Sequence, residues 1–172
     1  DGSMSTPLEN MGVGLNTKLW TARALADCPE KIKQVHKNYL KAGADCGITC
    51  SYQATIPGLM VIGYTKEQAE ELIVKSVGIF QEAREEWWKE EGKDGKRVWP
   101  LCLASVGPYG AYLADGSEYR GDYHCSVEAF QAFHRPRVEA LLDAGADLLA
   151  CETLPNFSEI EALAELLTAY PR

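Results

Sequence analysis

Ala42-Gly43-Ala44-Asp45 recurs as Ala144-Gly145-Ala146-Asp147, and the surroundings of the two copies decide the fold. Each copy follows an amphipathic stretch. Each precedes a short apolar run, Cys46-Gly47-Ile48-Thr49-Cys50 in the first case and Leu148-Leu149-Ala150-Cys151 in the second. The glycine fits the left-handed position that ends a helix, and the tight turn after it feeds a strand. Two such joints predict a repeating α/β architecture with parallel strands. Folds of that kind place their chemistry just past the carboxyl ends of the strands. Those ends read Ser51-Tyr52-Gln53-Ala54-Thr55, Ser105-Val106-Gly107-Pro108-Tyr109 and Glu152-Thr153-Leu154-Pro155-Asn156.

Outward from the joints the pattern alternates. Thr6-Pro7-Leu8-Glu9 predicts a short helix capped by Thr6 and stopped at Gly12, with a second from about Thr17 to Ala26. From Pro29, Ile32, Val35, His36, Tyr39 and Leu40 share one helical face. Thr65 and Gln68 form a capping box, and Ala69, Leu72, Ile73, Ser76, Phe80, Ala83 and Trp87 line the buried face of the helix they open. Lys89 to Arg97 reads as a solvated turn. Val98 to Ser105 reads as a strand, with Pro100 near its beginning, where a missing donor is tolerated. The connection from Val106 to Cys125 carries Tyr109, Tyr112, Tyr119 and Tyr123, an ordered and functional loop by its length and aromatic content. Ser126 caps the next helix, with Phe130, Phe133, Val138, Leu141 and Leu142 inward. Ser158-Glu159-Ile160-Glu161 caps a last helix ending near Tyr170. The order is loop, α, β, α, β, α, β, α.

The 172 residues suffice for one core but fall short of the roughly 250 of most complete (β/α)8 barrels. Asp1 opens the chain without a preceding strand, and Arg172 falls where the next strand is due, so both ends read as cut from a larger protein. The net charge of −8 argues against a nucleic-acid partner, which demands a basic face. There is no signal peptide and no membrane-spanning run, so the expected location is the cytoplasm. The six cysteines show no Cys-x-x-Cys spacing and read as free thiols acting as small apolar residues. No phosphate-binding glycine loop is present.

Glu152 directly follows an apolar run and is expected at a strand's carboxyl mouth. There a carboxylate holds a substrate ammonium, works as an acid or base, or simply pairs within the structure. Asp1 and Gly2 would lie just past a preceding strand, as a second carboxylate and a close backbone approach, or as an ordinary turn. His124 is a loop histidine able to titrate near neutral pH. His36 and His134 fall on helices as packing or surface residues. Zinc needs three or four converging ligands. Cys50, Cys102 and Cys151 lie on three strands, but Cys102 sits mid-strand, away from the mouth, and no site is assigned to them. Arg120-Gly121-Asp122 is a chance match to an adhesion tripeptide.

With these residues in place the chain resembles the homocysteine S-methyltransferase family, above all its bacterial members that use S-methylmethionine. The matching motifs are Asp1-Gly2-Ser3-Met4-Ser5-Thr6, Leu19-Trp20, Ala42-Gly43-Ala44-Asp45, Thr49-Cys50-Ser51-Tyr52-Gln53-Ala54-Thr55, Ser105-Val106-Gly107-Pro108-Tyr109-Gly110-Ala111-Tyr112, Asp115-Gly116-Ser117-Glu118-Tyr119 and Cys151-Glu152-Thr153. The resemblance implies a partial (β/α)8 barrel, strands two to four with their helices, within one homocysteine-binding domain spanning residues 1–172. It implies transfer of a methyl group from S-methylmethionine or S-adenosylmethionine to the thiolate of L-homocysteine, giving methionine. It implies zinc holding that thiolate in the intact enzyme, since a free thiol is mostly protonated at neutral pH. Asp1, Gly2 and Glu152 match the homocysteine-holding residues, Tyr52 an aromatic of the mouth and Trp20 a wall of the donor pocket. The family's zinc ligands are cysteines beyond the fifth strand, including a Gly-Gly-Cys-Cys pair. No metal ligand and no catalytic residue therefore carries over to this chain, which by itself is expected to lack zinc and activity. The alternative is an inactive half-barrel that works by self-association or by binding a partner. The oligomeric state stays open.

Overall fold

The computed structural model describes residues 2–15, 21–94 and 96–170. Helices α1 (Ser5–Asn10), α2 (Thr21–Asp27) and α3 (Pro29–Ala42) lead into strand β1 (Cys46–Ile48). Helices α4 (Ile56–Val61) and α5 (Lys66–Glu90) and a 3-10 turn over Gly92–Asp94 precede β2 (Leu101–Val106). Then come α6 (Tyr109–Leu113), α7 (Ser117–Arg120), α8 (Val127–Asp143), β3 (Leu148–Cys151) and α9 (Phe157–Leu167). The strands pair in the order β1-β2-β3, all parallel, with Ile48 opposite Leu103 and Leu103 opposite Leu148.

Both repeats form the same joint. Gly43 and Gly145 take left-handed φ values of 109° and 86°. The Gly43 N–H bonds Leu40 O and the Ala44 N–H bonds Tyr39 O; the Gly145 N–H bonds Leu142 O and the Ala146 N–H bonds Leu141 O. This is the Schellman pattern twice over, turning each helix directly into a strand. Each repeat's aspartate then holds an arginine from the neighbouring segment. Arg97 Nη2 donates to Asp45 Oδ1 at 3.0 Å, and Arg84 Nη1 donates to Asp147 Oδ2 at 2.7 Å.

The predicted faces of α3 and α5 are buried, apart from half-buried Tyr39, and the Thr65–Gln68 capping box is present. One sheet face, with Gly47, Cys102, Ala104 and Val106, is buried under the helices. The opposite face carries Ile48, Leu101, Leu103, Ser105 and Leu148, and it is open towards its lower end, where Leu101 is 43% and Leu148 52% exposed.

Several local expectations need correction. The cap near α1 is Ser3, whose Oγ accepts from the Thr6 N–H at 3.3 Å, and the helix begins at Ser5 instead of being capped by Thr6. Asn156, not Ser158, caps α9 by accepting from the Glu159 N–H, and α9 ends at Leu167 rather than near Tyr170. Strand β1 stops at Ile48 and β2 starts at Leu101, because Pro100 has no N–H to pair and its carbonyl goes to Arg84. The long connection after β2 folds into α6 and α7, and α4 was not anticipated. Thr17 to Trp20, predicted as helix, lies outside the described residues.

Candidate functional site

A pocket of about 220 Å³ opens at the carboxyl ends of the strands. Gly2, Ser3, Met4 and Ser5 form one wall; Ile48, Thr49, Cys50, Tyr52, Ser105 and Glu152 form the floor and the other wall. The amino-terminal segment is strapped there by α3. The Tyr39 hydroxyl donates to Ser3 O at 2.7 Å, and a Cβ on Gly2 would stand 2.5 Å from the Tyr39 ring. A side chain at Gly2 would have to displace the end of the Tyr39 ring. Of the residues selected from sequence, the pocket brings together Gly2, Tyr52 and Glu152. Asp1 and Trp20 lie outside the described residues.

Glu152 takes its place from the sheet. Its N–H continues the ladder to Val106 O at 3.2 Å, and the Ser105 hydroxyl donates to its Oε1 at 2.6 Å. Ser105 is itself fixed by a closed ring of donors. Its N–H donates to Thr49 Oγ1 at 3.0 Å, and the Ser51 hydroxyl donates to Ser105 O at 2.8 Å. Because Ser51 spends its one proton on that carbonyl, the 2.7 Å contact between the two hydroxyls runs from Thr49 to Ser51. Oε1 of the carboxylate is therefore held by the buried Ser105 hydroxyl, which Thr49 and Ser51 fix from the loop after β1. Thr153, the next residue, is β-branched yet stands at φ 55°, a left-handed strain found at sites that over-determine their backbone.

Tyr52 reaches the pocket from the loop after β1. Burial pushes its phenol up to about 12, and the Glu118 and Glu152 carboxylates push the same way. It stays protonated at neutral pH, and its hydroxyl is buried. Gly107 permits this placement, since a Cβ there would meet Tyr52 O at 2.5 Å and the ring at 2.7 Å. Glu118, at the start of α7, has a buried Oε2 without a hydrogen bond among the described residues. Glu152 lines the pocket, whereas Glu118 acts on the Tyr52 phenol from outside the lining.

Below the mouth lies a buried polar network that sequence reasoning missed. Arg137 Nη1 donates to Tyr52 O at 3.1 Å; Nη2 donates to Gly107 O at 2.6 Å and to His134 Nδ1 at 2.9 Å. That assigns His134 the tautomer with hydrogen on Nε2, which donates to Glu159 Oε1 at 2.7 Å. Glu159 also accepts from the Tyr109 N–H at 2.6 Å and from the Tyr123 hydroxyl at 2.5 Å. Arg137 is lowered by burial to about 10, still charged at neutral pH, and His134 is lowered by burial against the upward pull of Glu159. The signal was available: His134 and Arg137 share the apolar stripe of Phe130, Val138 and Leu141, and Glu159 shares that of Ala162, Leu163 and Leu166. Polar residues in a core stripe demand buried partners.

His124 is exposed in its loop, and Arg120 pairs with Asp122, its tripeptide neighbour, at 2.9 Å. Among the described residues no three His, Cys, Asp or Glu side chains converge to hold a metal. Burial pushes the Cys102 thiol up to about 12, far from the thiolate a metal takes. Among the described residues no helix is long and apolar enough to cross a membrane.

Comparison with known proteins matches this geometry. A sequence model of the homocysteine S-methyltransferase family covers residues 1–171. The homocysteine S-methyltransferase of Escherichia coli K12 is 64% identical over all of this chain and 54% of its own length; homocysteine S-methyltransferase YbgG of Bacillus subtilis is 52% identical over 99% and 54%. The crystal structure of the metallated homocysteine methyltransferase MmuM from Escherichia coli superposes with a TM-score of 0.94 at 64% identity, over 99% of this chain and 58% of that one. The chain thus spans about half the length of the curated relatives it matches. With the family's motifs placed at the carboxyl ends of three parallel strands, the chain belongs to the homocysteine S-methyltransferase family.

Proposed function

We propose that residues 1–172 form the amino-terminal portion of a single (β/α)8 barrel, supplying its second to fourth strands, and that the whole enzyme methylates L-homocysteine. The observation that carries this reading is Glu152 in the pocket at the strand ends, with Oε1 held by Ser105. Its Oε2 takes the substrate ammonium, the Gly2–Ser5 wall closes over the amino-acid end, and Tyr52 packs beside it. From the family resemblance, substrate binding is assigned to Asp1 and Trp20 as well.

The methyl donor is a sulfonium, S-methylmethionine or S-adenosylmethionine. The Glu152 carboxylate at the mouth suits either cation. The homocysteine sulfur loses its proton to solvent and forms a bond to the methyl carbon; the carbon–sulfur bond of the donor breaks and its electron pair leaves with a neutral thioether. With S-methylmethionine the products are two methionines. What the pocket contributes is alignment of the attacking sulfur, the methyl carbon and the leaving sulfur on one line. The described residues do not fit a zinc site. Zinc enters the proposal only through cysteines outside this chain, and no step here depends on it. We place the enzyme in the cytoplasm.

The test is methionine formation by the full-length protein from homocysteine with each donor in turn. Glu152→Gln keeps the shape and removes the charge. A hydrogen bond to a charged group contributes about 1.5–3 kcal/mol, so the KM for homocysteine is expected to rise about ten- to a hundredfold. An unaltered protein that forms no methionine with either donor overturns the reading. An unchanged KM in E152Q removes Glu152 from it.

A further inference from the structure

We infer that Arg137, His134 and Glu159 are positioning residues that set the Tyr52 side of the pocket from beneath, a reading that rests on the methyltransferase assignment. Four chain segments far apart in sequence end on this one network. Arg137 holds the carbonyls of Tyr52 and Gly107, the two loops that follow β1 and β2. His134 passes the connection to Glu159, which fixes the start of α6 through the Tyr109 N–H and the far end of the same connection through the Tyr123 hydroxyl. Asn156, at the start of α9, closes the circuit by donating to Tyr123 O at 2.7 Å. Arg137, His134, Glu159, Tyr123 and Asn156 are buried, and the network ends on half-buried Tyr52 and Tyr109.

The geometry is specific to a guanidinium. One planar group reaches two carbonyl oxygens and an imidazole nitrogen at once, which an ammonium on a flexible stem does not reproduce. The charges also fit. A buried cation and a buried carboxylate sit on either side of a neutral ring, so the network needs no external counter-ion. The placement relative to the pocket is the functional point. Tyr52 lines the cavity while its carbonyl is the anchor, and Gly107 has no Cβ, which lets that carbonyl and ring lie against it. A shift of the network therefore acts on a pocket wall through the Tyr52 carbonyl.

The experiment uses the full-length protein, first shown to methylate homocysteine; failure at that step overturns the activity assignment and with it the positioning role that rests on it. With activity in hand, Arg137→Lys and His134→Ala are compared per folded molecule, with circular dichroism giving the folded fraction. A wall that binds ground state and transition state alike changes KM and spares kcat. The expected result is a KM for homocysteine raised about fivefold or more, with kcat within about twofold. The same substitutions are then made on Tyr52→Ala. If the network acts through Tyr52, its loss costs less than about twofold more in that background, the non-additivity of residues acting as a unit. A KM that stays put while yield falls, or a full additive loss on Y52A, overturns the proposal. So does failure of both variants to fold in the cold, which would make the network a requirement of the fold and not of the site.

Discussion

His36 shows how one side chain couples burial to acidity. It is 1% exposed on α3, its ring edge meets Phe80 at 5.1 Å between centroids, and neither ring nitrogen has a hydrogen bond among the described residues. Burial alone drives it down from 6.5 to about 4. The unfolded chain binds the proton more readily, so His36 contributes its full stability above pH 6.5 and loses it as the pH falls from 6.5 towards 4. A gap of that size corresponds to about 3 kcal/mol. His134, also lowered by burial, adds to the same slope. Denaturant unfolding between pH 7 and 4.5 is therefore expected to show a steep loss of stability, and His36→Leu is expected to flatten that loss without abolishing it. Equal slopes for the two proteins would show that the acid sensitivity arises elsewhere, in carboxylates that lose their partners on protonation.

At the scale of elements, the packing of α5 on β1 rests on Gly47, where a Cβ would stand 2.1 Å from the Phe80 ring. The clash is with a fully buried ring that has nowhere to turn, so Gly47→Ala is expected to destabilise the fold by about 1–3 kcal/mol. Phe80→Leu in the same chain should return part of that loss, which a double-mutant comparison of unfolding midpoints measures. Additive losses would sink the steric account. The same elements show what sequence can and cannot reveal. The helix–turn–strand joints were legible because their signal is local: a glycine that must turn left-handed, between a helical stripe and an apolar run. Glu152 was legible for the same reason, being the first polar residue after such a run. Helix α4 was not, because Pro57 and Gly58 interrupt its pattern and Met60, Val61 and Ile62 stay exposed. The caps of α1 and α9 moved by a few residues, since several hydroxyl and amide side chains compete for the same backbone donors. The Arg137 network could be suspected from polar residues in an apolar stripe, but its partners could not, since Arg137 and Tyr52 lie 85 positions apart.

At the scale of the molecule, the sheet is finished on one side only. Under the helices it is closed by Cys102, Ala104, Val106 and the α5 core, whereas the other face ends in a strip of Leu101, Leu103 and Leu148, with β1 and β3 as edges of the described sheet. The groove beside β3, lined by Leu142, Leu148, Leu149, Leu167 and Tyr170, continues that apolar surface around the edge. In the proposed barrel the remaining strands cover it; in the 172-residue chain water does, and an open parallel edge with an apolar face is a template for pairing. The net charge of −8 works against association at low salt and is screened over about 8 Å at physiological ionic strength. Sedimentation velocity of the 172-residue chain should therefore show association that grows with protein concentration and with salt. The double substitution Leu101→Glu and Leu148→Glu, at two positions already about half exposed, should shift the population towards monomer and leave the unfolding midpoint nearly unchanged, because neither side chain belongs to the buried core. An unaltered chain that remains monomeric in high salt would show that the open face is protected by its own geometry. Association that persists unchanged in the double variant would move the contact to the exposed Met60–Ile62 and Val74 surface on α4 and α5.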